Sequence, residues 1–260
     1  VIDPRKTATA DLADLHLQLR PGTDTLLFNG LLVWLHDHGA LAEDYLAEHC
    51  NGFEETLAIA RSCAPSVQAV ARGCDLAVEE VECFYQWFAD TGRTVTAFSQ
   101  GINQSVAGTD KANAIINCHL ATGRVGRPGA SPFSLTGQPN AMGGREVGGL
   151  ANTLAAHMDY DTPGALLRVS DFWHSEKMAR GPGHKAVDLF EAVHRGEIRV
   201  LWVMGTNPAV SLPDTDRIHQ ALSRCQTLIV SDCVAQTDTT QFADILLPAA
   251  GWGEKDGTVT

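Results

Sequence analysis

The segment HKAVDLFEAVHRGEIRVLWVMGTNPAVSLPD, residues 184–214, decides the fold class. Its first half has the apolar spacing of a helix, VLWVM is an unbroken apolar run typical of a buried strand, and a Gly/Asn turn follows. TLIVSDCVAQTDTTQFADILLPAA, residues 227–250, repeats the plan as strand, polar turn, short helix and strand. Because strands alternate with helices, the sequence predicts an α/β fold with a largely parallel sheet.

The upstream part shows the same alternation with more helices. TDTLLFNGLLVWLHDHG, residues 23–39, places apolar residues on a broad helical face and ends at a glycine. DLAVEEVECFYQWFAD, residues 75–90, predicts a helix capped by Asp75. TVTAFSQGINQS, residues 94–105, is a β-rich run, and the helix after it is expected to be capped by Thr109 or Asp110. We therefore predict two Rossmann-like units with parallel-rich sheets flanked by helices, residues 1–167 and 168–260.

The composition excludes several classes of protein. The 260 residues are 44% apolar and 19% charged, which is ordinary for a globular chain, and the formal net charge is −12. That charge would repel a phosphate backbone, so nucleic acid is not expected as a partner. The chain has no apolar run long enough for a bilayer and does not open with a signal peptide, so we predict a cytoplasmic protein without membrane contact.

The seven cysteines form no CxxC pair, which favours reduced structural thiols over a metal or iron–sulfur site, and no metal ligands are predicted. The chain also has no Walker A loop, no GxGxxG, no GxSxG and no HExxH. Common ATPase, dehydrogenase and hydrolase functions therefore lack their expected motifs.

Polar residues follow three predicted strands: Asp3 in VIDPR, the turn of Gly205, Thr206 and Asn207, and Ser231 with Asp232. The carboxyl ends of parallel strands are where open α/β sheets bind ligands. Aspartate there can accept hydrogen bonds from ribose hydroxyls, and a Gly/Asn turn lets the backbone approach a phosphate. Taken alone, however, such residues are more often turn formers than ligand contacts.

Residues 124–149 are rich in glycine and proline, and a loop of this length in a compact domain is usually functional. Arg145 and Glu146 are a lone charged pair within SPFSLTGQPNAMGGREVGGL, residues 131–150. Arg145 either pairs with Glu146 or caps a helix, or it holds an anionic substrate or cofactor through its forked guanidinium. The composition of the segment leaves these alternatives open.

Four segments together carry a resemblance to a known family. Residues 99–158, SQGINQSVAGTDKANAIINCHLATGRVGRPGASPFSLTGQPNAMGGREVGGLANTLAAHM, resemble the centre of bacterial assimilatory nitrate reductases. These enzymes are molybdopterin oxidoreductases related to dimethyl sulfoxide reductase. VIDPRKTATADLADLHLQLRPGTD (1–24), VLWVMGTNPAVSLPD (200–214) and SDCVAQTDTTQFADILLPAAGWGEKDGTVT (231–260) resemble further family motifs in the expected order, so the likeness covers essentially the whole chain.

The resemblance implies a bis-(molybdopterin guanine dinucleotide) cofactor with molybdenum, nitrate as substrate, and nitrite as product. Gln100 and Gln104 would lie near the pterin and metal, with Gln100 shaping the pocket, and Arg145 would face nitrate. One guanosine would contact a first set of residues, in which Asp24 reads the guanine edge: Asp3, Pro4, Arg5, Lys6, Thr7, Gly22, Thr23 and Asp24. The other dinucleotide would contact a second set: Asn207, Ser231, Asp232 and Lys255.

The chain also departs from the family pattern. Periplasmic nitrate reductases carry a methionine in place of Gln100 and one more residue before the arginine that matches Arg145. The family's [4Fe–4S] cysteines and molybdenum-ligating cysteine match no cysteine here. We therefore expect an internal fragment that is inactive and binds no cofactor by itself, while its parent receives electrons through the cluster from a donor protein or domain. A formate dehydrogenase, a periplasmic nitrate reductase and a non-catalytic nucleotide-binding scaffold remain as alternatives.

Overall fold

The computed structural model describes residues 1–138 and 140–258. Contacts divide the chain into two compact units, Val1–Gly137 and Gln138–Thr260. Pro139 of the glycine-rich segment, and Val259 and Thr260 of the family-like segment 231–260, lie outside the described residues. No helix in the described ranges is long and apolar enough to cross a membrane.

The first unit is mainly helical and contains a two-stranded parallel sheet, in which Val95 pairs with Ser131 and Phe98 with Ser134. Its elements in chain order are α1 (Asp24–Asp37), α2 (Glu43–His49), α3 (Phe53–Cys63), α4 (Val67–Cys74), α5 (Val78–Asp90), β1 (Val95–Phe98), α6 (Gln100–Asn103), α7 (Gly108–Ala121) and β2 (Ser131–Ser134).

Helix α1 is the centre of the first unit because it is apolar on nearly every side. It packs against α3, α4, α5 and α7. Leu27, Leu31 and Leu35 are fully buried along it, and the hydroxyl of the buried Tyr85 on α5 donates to the Leu27 carbonyl at 2.7 Å. A Cβ at Gly30 would lie 2.5 Å from the Tyr85 hydroxyl, so this close approach of α5 requires glycine.

The second unit is built on a three-stranded parallel sheet of order β3-β4-β5. Leu201 pairs with Leu228, and Val230 with Leu246. Its elements in chain order are α8 (Ala141–Glu146), α9 (Ala165–Trp173), α10 (Ala186–His194), β3 (Val200–Met204), α11 (Pro208–Ser211), α12 (Thr215–Arg224), β4 (Thr227–Asp232) and β5 (Ile245–Pro248).

The two faces of this sheet differ. Leu201 and Val203 point into a core with Phe190 of α10 and Leu222 of α12. The alternate residues of β3 remain exposed, with Trp202 at 53%. This alternation is the two-residue period of a strand that is covered on one face.

The predicted fold class is confirmed: every strand pair among the described residues is parallel, and helices flank the sheets. The strands expected from TVTAF, VLWVM, TLIVSD and DILLP are all present. The strand expected at VIDPR is not, since Ile2 forms only an isolated bridge with Leu17. The division between the units, however, lies after Gly137 rather than after Leu167. Helix α9 crosses the predicted boundary because Ala165 and Val169 pack with Leu154 inside the second unit.

Three local predictions were wrong. Asp75 does not begin α5; it ends α4 in a left-handed conformation, φ +61°, and Glu80 closes the start of α5 by accepting from the Ala77 N–H at 3.2 Å. Neither Thr109 nor Asp110 caps α7, since the helix already starts at Gly108. The glycine-rich segment is also not one loop, because it contains β2 and α8.

Candidate functional site

A cleft of about 850 Å³ opens in the first unit. Its walls come from the start of the chain, the turn before α1, the second half of α5, β1 with the turn after it, and α7. The volume lies within the range of cofactor and small-molecule sites, which are mostly apolar with a few placed polar groups. Aromatic side chains supply much of the apolar wall: Phe28, Phe84, Trp87, Phe88 and Phe98.

Sequence reasoning predicted ten site residues in this unit, and the structure brings six of them to the cleft: Asp3, Pro4, Gly22, Asp24, Gln100 and Gln104. Among the described residues, the other four predicted residues, Arg5, Lys6, Thr7 and Thr23, do not line the cleft. Lys6 pairs with exposed Asp11 at 3.2 Å, the Arg5 N–H donates to Asp3, Thr7 accepts from the Ala10 N–H, and the Thr23 hydroxyl donates to the Arg20 carbonyl.

The sequence left open whether Asp3 forms a turn or contacts a ligand, and its position in the structure is compatible with both roles. Its Oδ1 accepts from the Arg5 N–H at 2.8 Å, which is the hydrogen bond of an Asx turn. Its backbone N–H donates to Leu17, and Ile2 and Leu17 form a parallel bridge at the same point. Asp3 is therefore a turn former that also lines the cleft.

Asp24 is the first residue of α1. The turn before it fixes its position, and an ion pair fixes its side chain. Gly22 before it has φ +87°, a conformation that strains other residues. Arg20 ties the turn to the end of α4 by donating to the Gly73 carbonyl at 2.7 Å. Asp24 Oδ2 forms an ion pair with Lys111 Nζ of α7 at 2.7 Å, and the exposed fractions of the two side chains are 17% and 7%.

Gln100 and Gln104 bracket α6, the short helix that follows β1. The Gln104 N–H donates to the Gln100 carbonyl at 2.9 Å, and the Ser99 hydroxyl donates to the Leu135 carbonyl just beyond β2. Both glutamine side chains are exposed, and both residues line the cleft. They can therefore donate to and accept from a ligand.

A polar layer lies behind the cleft wall, and sequence reasoning missed it. Thr96 of β1 lines the cleft, and its hydroxyl lies 2.7 Å from Nε2 of the fully buried His119. Burial, with a smaller contribution from the charge of Arg124, lowers the pKa of His119 to about 4. Arg124 lies 4.2 Å from the centre of the Phe88 ring and donates to the Thr91 carbonyl at 2.8 Å. This layer fixes β1 and α5 where they border the cleft.

In the second unit, Asn207, Ser231 and Asp232 lie at the carboxyl edge of the sheet, where parallel strands place ligand contacts. Asn207 Oδ1 accepts from the N–H and the hydroxyl of buried Thr239, at 3.1 and 2.6 Å. Ser231 Oγ accepts from the Trp202 indole at 2.9 Å, and Asp232 Oδ1 from the Val234 N–H at 2.9 Å. Asn207 and Asp232 therefore hold the protein's own turns, and Ser231 links β4 to β3.

The two remaining predicted residues of the second unit lie on other elements. Lys255 lies near the Trp252 ring, 6.0 Å from its centre. Arg145 is exposed in the last turn of α8, where a cation is favourable next to the helix C-terminus. Within the described residues, neither Arg145 nor Glu146 forms an ion pair, so the pairing between them that the sequence allowed is not present.

The first unit contains an aromatic cleft, and the second unit has polar residues at the carboxyl ends of its strands. Each feature is typical of α/β proteins that bind nucleotide-type cofactors. The sequence profile of the family described as "Molybdopterin oxidoreductase" matches residues 1–260. The chain therefore belongs to the molybdopterin oxidoreductase family.

Individual proteins agree with this assignment. A nitrate reductase of Klebsiella oxytoca is 53% identical over the whole chain, which spans 29% of that relative. A periplasmic nitrate reductase of Desulfovibrio desulfuricans is 36% identical over 99% of the chain, which spans 36% of it. The chain thus covers about a third of the length of these relatives. The fold is similar to that of an acetylene hydratase from Pelobacter acetylenicus, with a TM-score of 0.68 and 19% sequence identity. The match covers 98% of this chain and 37% of the hydratase chain.

Proposed function

We propose that the protein carrying this chain reduces nitrate to nitrite, and that the cleft of the first unit binds one guanine dinucleotide arm of a molybdenum cofactor. The cleft carries this proposal, because it combines an aromatic lining with carboxylates at Asp3 and Asp24 and amides at Gln100 and Gln104. A flat purine suits the aromatic lining, and its N–H groups suit the carboxylates. The nitrate reductases among the relatives support the same reaction.

The residues present fit this cofactor. A cleft of about 850 Å³ has room for a large ligand, and its acceptor Asp24 is oriented by an ion pair. Of the residues expected to contact one guanosine, Asp3, Pro4, Gly22 and Asp24 line the cleft and would hold it there. Asn207, Ser231, Asp232 and Lys255 would hold the second dinucleotide. When bound, the molybdenum cofactor supplies two electrons and takes up an oxygen atom.

Arg145 would bind the nitrate anion, because a guanidinium fork matches two oxygens of a planar oxyanion. Its exposure and the absence of an ion pair among the described residues leave its donors available for such a ligand. The overall reaction consumes nitrate, two electrons and two protons, and yields nitrite and water. We propose that the electrons come from a donor protein through a [4Fe–4S] cluster.

We further propose the assimilatory, cytoplasmic type of enzyme rather than the periplasmic type. Gln100, which stands where the periplasmic enzymes carry methionine, supports this assignment, as does the shorter spacing before Arg145. Gln100 lines the cleft and would shape the pocket next to the metal.

Metal analysis combined with substrate comparison tests the proposal. The purified protein that carries this chain as one part is expected to contain molybdenum and to reduce nitrate with an artificial electron donor, without oxidising formate, whereas residues 1–260 alone are expected to hold no molybdenum. Formate oxidation without nitrate reduction would show instead that it is a formate dehydrogenase of the same family. A protein that binds nucleotide but turns over neither substrate would be a non-catalytic scaffold.

A further inference from the structure

Lys111 is a buried cation in the cleft, and it is not among the residues proposed to contact the cofactor. Its side chain is 7% exposed, and its Nζ lies 2.7 Å from Asp24 Oδ2. Both residues line the cleft, together with the apolar Phe28 and Ile115. An ammonium group loses much solvation energy when it is removed from water, so this position needs an explanation.

Stability alone does not explain the pair. Breaking a buried ion pair is costly, yet replacing both partners with well-packed apolar residues is often neutral or stabilising. The other end of α1 offers a contrast, because Asp37 pairs there with Arg61 and both side chains remain about two-fifths exposed, 42% and 41%. An ion pair that is buried where a ligand would bind points to a role towards that ligand.

We propose that Lys111 is a positioning residue that orients the carboxylate of Asp24, and so sets a preference for guanine over hypoxanthine. The inference rests on the proposed cofactor site. An ionised carboxylate has about four acceptor positions, and Lys111 occupies one on Oδ2. The remaining positions can accept from guanine N1–H and from its 2-amino group. Hypoxanthine lacks the amino group, and adenine presents an acceptor at N1.

Binding of GDP and IDP, measured by titration calorimetry on cofactor-free protein, tests the proposal. The unchanged protein is expected to prefer GDP by about tenfold or more, the effect of one charge-assisted hydrogen bond. Lys111→Met should reduce this preference to nearly one, whereas Lys111→Arg, which keeps a donor, should retain most of it. Arg61→Met is the matched control: it removes the exposed pair at the far end of α1 and should leave the preference unchanged.

A second pair of variants covers the case in which Lys111→Met alone fails to fold. Asp24→Asn and the double variant Asp24→Asn/Lys111→Met both lack the acidic partner. If Lys111 acts through Asp24, adding Lys111→Met to Asp24→Asn should leave the GDP-to-IDP ratio unchanged. An additional loss in the double variant, or an undiminished ratio in a folded Lys111→Met protein, would overturn the inference and leave the cofactor proposal intact. Absence of GDP binding in the unchanged protein would overturn both.

Discussion

The two units differ in how deeply several of their polar site residues are buried. In the first unit, Lys111 and His119 are buried in or directly behind the cleft, and Asp24 is largely shielded. In the second unit, Asp232 is only half-buried at the open edge of the sheet, and Arg145 is exposed on α8. Substitutions at these buried positions of the first unit should therefore affect folding and ligand binding together. Substitutions at exposed positions of the second unit should affect the ligand alone.

Arg145 is expected to give the largest effect and to sharpen this contrast. Arg145→Ala should lower kcat/KM for nitrate roughly thirty- to a thousand-fold, which corresponds to a loss of about 2 to 4 kcal/mol of transition-state stabilisation. Molybdenum content and thermal stability should stay near normal. Arg145→Lys should also be impaired, because it keeps the charge but loses one of two parallel hydrogen bonds.

Steady-state kinetics on enzyme matched for metal content measure this effect. Arg180→Ala, at another exposed arginine of the second unit, is the control and should behave like the unchanged enzyme. If Arg145→Ala reduces nitrate at the normal rate, Arg145 has no role in binding substrate.

Lys111 tests the opposite behaviour in the first unit. Lys111→Met leaves Asp24 without its partner and should lower the free energy of unfolding by about 3 kcal/mol, the low end for a broken buried pair, since Asp24 keeps some contact with water. Denaturant unfolding followed by circular dichroism gives the value. A loss below 1 kcal/mol, which is usual for exposed pairs, would show that the pair is effectively solvated.

His119 should make the stability of the first unit depend on pH. Its pKa is lowered from 6.5 to about 4, so between these values the unfolded chain binds a proton that the folded chain does not. The free energy of unfolding should therefore be highest above pH 6.5 and should fall by about 3 kcal/mol as the pH is lowered towards 4.

The variant His119→Gln cannot titrate but can still form a hydrogen bond with Thr96. The difference in unfolding free energy between pH 7 and pH 4.5 should therefore be smaller in His119→Gln than in the unchanged protein. Equal pH dependence in the two proteins would mean that folding does not shift the pKa of His119.

The fold could be predicted wherever a periodic signal was strong. VLWVM and TLIVSD have the length and composition of buried strands, and α1 ends close to its predicted glycine. The prediction that Asp75 caps α5 was wrong because residues that start a helix and residues that end one share the same polar chemistry. Only tertiary contacts decide between the two roles. Helix α8 was hidden because two glycines within six residues mask a helical pattern.

The site was only partly predictable for a related reason. Asp24, Gln100 and Gln104 could be named by resemblance to a family. Lys111 could not be named in this way, because its segment GTDKAN, residues 108–113, matches no phosphate-binding motif. A signal was nevertheless present: Lys111 lies four residues before Ile115, on the apolar face of α7. His119, four residues after Ile115, lies on the same face and carried the same signal, but its contact with Thr96 of β1 could not be derived from helix spacing.

The central claim is that the cleft of the first unit holds a guanine dinucleotide arm through Asp24. The most direct test is the molybdenum and GMP content of the purified Asp24→Ala enzyme, with GMP released by acid hydrolysis. Loss of a charge-assisted hydrogen bond of about 1.5 to 3 kcal/mol should lower cofactor retention by roughly ten- to a hundredfold under dilute conditions. Molybdenum and GMP contents equal to those of the unchanged enzyme would contradict the claim.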